Sequence, residues 1–511
     1  MITISRINRR QYKFICSTAK EERVIQSILS FEDEGFFYAE SFKEGHWDGI
    51  YRLYNANNEF SVGLLEFVSE GLRREEYDFK VIEKDFFEHI NFSQLDLNPA
   101  LYKHQREAVT NFIKKNYGIL MVPTRGGKTF IACEISRLLL MNQPDEDIKI
   151  LFFVDTIDLL EQATEDFAEY FDVEVSDIGR IHGDSFDIHK PIVVSTIQTS
   201  INIYYSNDAK KRNTFRKYLK SLNCLLVDEI HEFSSGKRQK VLLSAKNVNY
   251  FLGMSATPFR SQTPLDNLTI KQCFGDICYE ITERDLIKAG VLSDYKVMLF
   301  NFESEYSSQI TSMVRSYRKN DEKRKIYSYL QNELIFKNQS RDEYVHGIIK
   351  VLLSLNLKVL VLFSSVKHGD SFAKRTGYKF ISGRDNRKTR AKERLDFLDD
   401  EGGVLLASNI YKKGITLPQV EVMINMDDGL ELSNIIQRKG RVLGITDTKK
   451  KSLVIDIVDD EANYFSEHSL QRLELYEWAV GEDKMNLFDC SDPNSLNDFK
   501  NEVAIWFDKK K

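Results

Sequence analysis

Short apolar runs alternating with longer stretches of helical period dominate the middle of this chain. Between residues 97 and 290 the runs fall at 118–122, 148–154, 191–195, 224–227 and 250–254, and a second series follows at 358–363, 379–381, 403–407, 420–426 and 451–457. Runs of this length, bounded by turn residues and separated by amphipathic segments, predict parallel strands covered by crossover helices. Two consecutive series predict two α/β lobes. Residues 1–10 alternate apolar and polar positions, which predicts a β-strand, and the aromatic-dense stretch 1–96 predicts a small α+β module. Residues 300–345 are polar and charged, and read as helices that link the lobes or form an insertion on the second. Beyond about 461 the pattern is helical and acidic around a basic end. The predicted organisation is an N-terminal α+β module at 1–96, a first lobe at 97–290, a linker with the second lobe at 291–460, and a helical C-terminal segment at 461–511. Neither a solenoid period nor a low-complexity linker interrupts it.

Composition narrows the classes. A chain of 511 residues is too long for one core and suggests about three or four domains. With 71 Lys and Arg against 77 Asp and Glu the net charge is −6, so a nucleic-acid partner has to be met by local basic patches rather than by the overall field. Cys16, Cys133, Cys224, Cys273, Cys278 and Cys490 lack metal-ligand spacing and read as free thiols in a reducing compartment. The N-terminus has no apolar core followed by a small-residue cleavage site, and no run approaches the roughly eighteen apolar residues of a membrane span. A cytoplasmic protein with no membrane partner is expected. No oligomerisation signature is present, so a monomer is the default.

The candidate chemistry starts where the run 118–122 feeds Pro123-Thr124-Arg125-Gly126-Gly127-Lys128-Thr129. Glycines in such a turn let backbone N–H groups approach phosphates, a lysine reaches the terminal phosphate oxygens, and a hydroxyl holds Mg²⁺. A hundred residues on, the run 224–227 ends in Asp228-Glu229-Ile230-His231. Two acids at a strand end suit a metal ligand, Asp228, and a group that positions attacking water, Glu229. Together, in this order and spacing, they predict an ATP-hydrolysing core that uses ATP and Mg²⁺. Only the first lobe carries a phosphate loop, and that places ATP in a cleft between two lobes.

From residue 100 to about 445 the successive motifs resemble those of superfamily 2 helicases and translocases of the DExH group. The resemblance implies two tandem RecA-like lobes. Tyr102-Lys103-His104-Gln105 is similar to the adenine-reading motif, where the amide of Gln105 offers a donor and an acceptor to the base. His231 resembles the link from the Walker B acids to the coupling motif, here Ser255-Ala256-Thr257; a capped turn at a strand end is the alternative, and the position after Asp228 favours the coupling role. Thr156 with Gln162, and Thr196 with Gln198, resemble the strand-end motifs that grip a sugar-phosphate backbone. In the second lobe Ser364, Ser365 and Gly383 resemble further backbone-binding loops. Gly414 lies in a motif facing both ATP and nucleic acid, and Gln437 and Arg441 resemble the arginine-finger motif, in which Arg441 would reach the γ-phosphate. Phosphate contacts of this kind carry no base code, so binding should follow structure rather than sequence and weaken with salt.

Three positions depart from that pattern. Gly444 stands where the family often has a second arginine, Thr416 where it has an acid, and Arg125 where the phosphate loop usually has glycine. Arg125 is therefore a cation beside phosphate or a residue facing solvent.

Residues 31–70, and most sharply Gly45-His46-Trp47-Asp48-Gly49, resemble the N-terminal domain of bacteriophage UvsW-type helicases. That resemblance implies an enzyme of branched DNA: regression of forks, branch migration of Holliday junctions and unwinding of R-loops, with RNA–DNA hybrids as a further substrate, in recombination, repair and replication, and in a host cytoplasm if phage-encoded. Trp47, Tyr51, Tyr54 and Arg52 could form a stacking and phosphate-binding surface, but Trp47 reads more simply as a core anchor with Gly45 and Gly49 making its turns. Arg6, Arg9, Arg10 and Arg52 are the better candidates for contact with DNA. The basic stretches 210–220 and 384–394 are further candidates. A translocase on duplex DNA without strand exchange and an RNA helicase remain the alternatives.

Overall fold

The structure is a computed structural model that describes residues 1–509 apart from 33–35, 39, 87–95, 143–146, 235, 260–263, 304–307, 320–322, 400–401, 409–416, 418, 428–439, 441–442, 447–448 and 460–461. Its chain divides into two compact units, Met1–Pro123 with Gly127–Ile281, and Thr124–Gly126 with Thr282–Lys511.

The apolar runs of the first series become the centre of an eight-stranded sheet. Its order is Ser185–Phe186, Gly179–His182, Ile192–Thr196, Ile150–Val154, Cys224–Asp228, Tyr250–Ser255, Tyr117–Met121 and Ile277–Glu280. Every pairing is parallel except the terminal hairpin. Helices cover both faces, so Ile150–Val154 and Ile192–Thr196 are buried along their whole length, which is why their sequences are continuous rather than alternating. Successive residues still divide between the faces: Leu151 and Phe153 join one core, and Ile150, Phe152 and Val154 the other.

The N-terminal residues build a separate four-stranded sheet in the order Glu59–Ser61, Gln11–Ile15, Ile2–Arg6, Phe79–Ile82. Alternation in Ile2–Arg6 buries Ile2, Ile4 and Arg6, the last 8% exposed. This sheet does not stand apart from the lobe. Its core residues Ile4, Phe14 and Phe60 belong to the same apolar cluster as Leu225, Phe251 and Phe274. At the seam a Cβ on Gly63 would collide with the carbonyl oxygen of Lys271, so only glycine allows this approach. The Ser61 hydroxyl donates to the Gln272 carbonyl, and Arg10 Nη2 donates to the Cys273 carbonyl at 3.0 Å with its guanidinium 3.9 Å from the Phe251 ring centre.

The second unit carries a seven-stranded parallel sheet in the order Phe380–Ile381, Gly403–Ser408, Lys358–Phe363, Val422–Asn425, Lys451–Asp459, Asp294–Phe302 and Met485–Asp489. Two of these strands fall outside the predicted series. Asp294–Phe302, in the stretch assigned to the linker, pairs along its full length with Lys451–Asp459. Met485–Asp489, in the segment expected to be helical, adds the edge. Phe300 and Phe488 stack at 5.1 Å across that pairing, and Phe499 of helix Ser495–Trp506 closes edge-on at 5.1 Å from Phe300. The polar stretch after 300 does form helices, Ser308–Lys319 and Lys323–Leu330 among them. All six cysteines are free thiols, and no helix among the described residues is long and apolar enough to cross a membrane.

Candidate active site

The phosphate loop runs from the end of Tyr117–Met121 into helix Lys128–Asn142. Val122 N–H donates to the carbonyl of Ser255 at 3.1 Å, tying the loop to the neighbouring strand end. Gly127 has φ +80°, and a side chain there would strike Nε2 of the buried Gln105. Gln105 Oε1 accepts from Tyr102 N–H at 2.9 Å, so one of its lone pairs caps its own helix, Lys103–Lys115, before any base arrives. Arg125 has φ 67°, the left-handed region that favours glycine, which accounts for the residue type usual at that place in the loop. Thr124 Oγ1 and Arg125 Nη2 are buried without a hydrogen-bond partner. A hydroxyl and a guanidinium left in that state fit an anionic ligand.

Lys128 lies under the strand end that carries the acids. Its Nζ is 3.4 Å from Glu229 Oε1 and 3.9 Å from Asp228 Oδ1, with all three side chains largely buried. Burial works against the ammonium, yet Glu229 and Asp228 outweigh it and raise its pKa. Burial pushes the Asp228 carboxyl up to about 6, with Lys128 opposing and Glu229 reinforcing the shift. Glu229 itself has φ 50°, a conformation that costs a non-glycine residue about 1–3 kcal/mol. The Asp228 carboxylate accepts the Glu229 N–H at 2.9 Å and holds it there. Hard oxygen donors, Asp228 and the Thr129 hydroxyl, suit Mg²⁺.

His231 Nδ1 lies 2.9 Å from Ser255 Oγ and 3.3 Å from Glu229 Oε2. Ser255 Oγ accepts the Thr257 N–H at 3.1 Å, and Ala256 lies between them in the chain. The tripeptide forms a capped turn, and that turn touches the acid pair through His231.

Comparison with known proteins decides the family. The profile described as "Type III restriction enzyme, res subunit" matches residues 98–260, and "Helicase conserved C-terminal domain" matches residues 343–445. The chain is an ATP-dependent helicase of superfamily 2. It is 22% identical over 493 residues to "ATP-dependent DNA helicase uvsW" of Enterobacteria phage T4, covering 88% of this chain and 92% of that protein. It is 24% identical over 406 residues to "DNA 3'-5' translocase XPB2" of Sulfurisphaera tokodaii, covering 74% and 85%. The fold is shared with S. cerevisiae Dbp5 bound to RNA and ADP BeF3, at a TM-score of 0.51 and 15% identity over 81% of this chain and 99% of that one.

The remaining motif residues of the helicase are dispersed over strand ends. Thr156 caps helix Ile157–Phe171, its hydroxyl accepting from Leu159 N–H at 3.3 Å, with Gln162 exposed farther along. Thr196, 4% exposed, donates to Thr199 Oγ1 at 2.8 Å, and the exposed Gln198 donates to Asn202 at 3.1 Å. In the second unit Ser365 caps Val366–Thr376, and Gly383 is exposed in the turn after Phe380–Ile381. Ser364 N–H donates at 2.6 Å to Asp427, a clamp that gave no motif signal. Gly414, Thr416, Gln437 and Arg441 lie outside the described residues, while Gly444 is described and accepts from Lys449 Nζ at 3.1 Å.

Among the N-terminal cations the assignment changes. Arg6, Arg9 and Arg10, expected to contact DNA, all bond the protein itself, and Arg10 keeps one nitrogen unpaired. Arg9 donates to the carbonyls of Phe86 and Asn247, each at 2.8 Å, Arg10 is docked at the seam, and Arg6 bonds the carbonyls of Asn8 and Arg9. Arg52 remains on the surface, paired with Asp48 at 2.5 Å. Trp47 is half-buried: its Nε1 donates to the Ile50 carbonyl at 3.0 Å and its ring lies 4.9 Å from Tyr51. The turns at Gly45 and Gly49 have φ 72° and 83°. Of the basic helix Ala209–Lys220, Arg212 and Arg216 fold back onto the carbonyls of Ser206 and Tyr204.

Proposed function

We propose that this helicase remodels branched DNA, regressing forks and migrating junctions by translocating on one strand of a duplex. Lys128 binds the β- and γ-phosphates, Gln105 the adenine, and the loop from Pro123 to Gly127 the phosphate chain. Thr129 and Asp228 hold Mg²⁺, which when bound neutralises charge on the phosphates. Glu229 orients the attacking water. His231 carries the state of that site to the turn at Ser255 and Thr257. Thr156, Gln162, Thr196, Gln198, Ser364, Ser365 and Gly383 contact the sugar-phosphate backbone, and Gln437, Gly414 and Arg441 complete the nucleotide site.

The observation that carries the branched-DNA part is the seat of the N-terminal module. A module fused to the first lobe through one continuous core and a side-chain-free contact at Gly63 is held against that lobe's sheet. A second arm of a junction can then be held while the motor advances along the first. Support for DNA as the substrate comes from the relatives, whose names describe a DNA helicase and a DNA translocase. The translocase relative also favours a second reading, movement on duplex without strand exchange.

The test measures ATP hydrolysis by the wild type and Lys128→Ala without DNA and with single-stranded, duplex and four-way-junction DNA, together with junction dissociation. Junction-stimulated turnover with strand exchange, lost in the variant, is expected. Equal stimulation by plain duplex with no strand exchange replaces the reading with duplex translocation. Matched RNA junctions turned over as fast as DNA junctions would move the substrate class to RNA.

A further inference from the structure

Where the N-terminal module meets the lobe, a cavity of about 250 Å³ opens among Arg10, Arg52, Tyr54, Asn55, Lys246 and Gln272. Three cations line it. The acids at hand are Glu59, which also lines it and accepts from Asn55 Nδ2 at 2.8 Å, and Asp48, the partner of Arg52. Arg10 is the unusual member. It is 5% exposed and makes no ion pair among the described residues; one of its nitrogens bonds the Cys273 carbonyl, and Nη1 is buried with no partner. A guanidinium cannot shed its charge to relieve burial as a lysine can. A buried charge without a counter-ion is costly, and an anion at this cavity would lie beside that guanidinium and offset part of the cost. Burial lowers the Arg10 pKa to about 10, with Cys273 opposing, which is the same deficit seen from the proton's side.

We infer that this cavity is a phosphate site, which takes a backbone phosphodiester of a DNA strand and so fastens one arm of a branched substrate across the joint between module and lobe. Arginine and lysine with neutral amide donors match phosphate oxygens, and a phosphodiester carries the single charge that the lining leaves uncompensated. The cavity is open to solvent beside the exposed Lys246 and Arg52, so a chain can enter and leave it, as a polymer requires. The inference rests on the branched-DNA reading above, and goes beyond it by assigning residues outside the helicase motifs.

Arg10 also docks the module, so the exposed Lys246 is the residue to change. Affinity of the wild type, Lys246→Ala, Lys246→Arg and Arg52→Gln for a four-way junction is measured across a range of KCl concentrations, with thermal melting alongside in inorganic phosphate and in chloride at equal ionic strength. Lys246→Ala is expected to weaken junction binding about fivefold and to reduce the slope of log K against log salt by about 1, with Lys246→Arg restoring both. Arg52→Gln should behave as Lys246→Ala does. Unchanged affinity and slope in both variants would overturn the inference. Phosphate-specific stabilisation of the wild type, lost in Lys246→Ala with DNA slopes unchanged, would overturn the nucleic-acid source in favour of a small phosphate ligand. A wild type that binds no junction at all would instead overturn the branched-DNA reading itself.

Discussion

His231 and Ser255 meet through a 2.9 Å contact between Nδ1 and Oγ, although they lie on different strand-end segments of the first lobe. The same imidazole nitrogen is 3.3 Å from Glu229, so one ring bridges the acid that would orient water and the turn that ends Tyr250–Ser255. A ring in that place can change partner when ATP arrives and leaves. Replacing it should separate hydrolysis from movement. His231→Ala is expected to retain at least about a tenth of DNA-stimulated turnover while strands displaced per ATP fall several-fold, a ratio that a coupled unwinding and phosphate-release assay reads directly.

Lys128 sits directly beside the two acids of the site. Among the described residues it is the cation beside both Asp228 and Glu229, and the charge that accumulates on a transferring phosphoryl group needs a fixed counter-charge. Lys128→Ala should lower kcat by about a hundredfold or more, the range seen when one electrostatic stabiliser of a transition state is removed. Steady-state hydrolysis at saturating ATP is the measurement, and a loss confined to KM would place Lys128 in ground-state binding alone.

Gly63 sets how closely the module seats. An alanine methyl there would strike the Lys271 carbonyl oxygen and crowd the backbone of Gly275, so main chain rather than a side chain has to shift. Gly63→Ala should cost about 1–3 kcal/mol of stability, as overpacking does in a close-packed contact. Limited proteolysis should then cut between module and lobe faster than in the wild type. An unaltered digestion pattern would mean that the seam is looser than its packing indicates.

Asp166 offers a clean pH dependence away from the site. Burial, then Glu169 and Glu165, raise its carboxyl from 3.8 to about 6. The folded state therefore holds this proton more tightly than the unfolded chain does. Its contribution is intact below about pH 4 and is lost as pH rises through about 6. Asp166→Asn should stabilise the protein at pH 7.5 by about 1 kcal/mol after solvent screening, and by nothing at pH 4. Thermal melting at the two pH values tests it, and an equal gain at both would assign the effect to packing.

Much of this protein is written locally in its sequence. Parallel strands buried on both faces must be apolar throughout, so Ile150–Val154, Cys224–Asp228 and Lys358–Phe363 announce themselves. A phosphate loop is contiguous, so Gly127, Lys128 and Thr129 are readable as a unit. Strands with exposed or mixed faces are not: Gly179–His182 alternates buried and half-buried positions beside the edge hairpin, Ile277–Glu280 is a half-buried edge, and Met485–Asp489 lies in a polar stretch whose strand character comes from pairing with Asp294–Phe302. The charged N-terminus shows the same limit. A run of arginines looks alike whether it faces DNA or a carbonyl, and the partners of Arg9 and Arg10 lie more than two hundred residues away, at Asn247 and Cys273. Composition decided that these cations exist. Only the packing of module on lobe decided that two of them would be anchors and that one would be left with a buried nitrogen unpaired, because desolvation and hydrogen-bond geometry depend on neighbours that are distant in sequence.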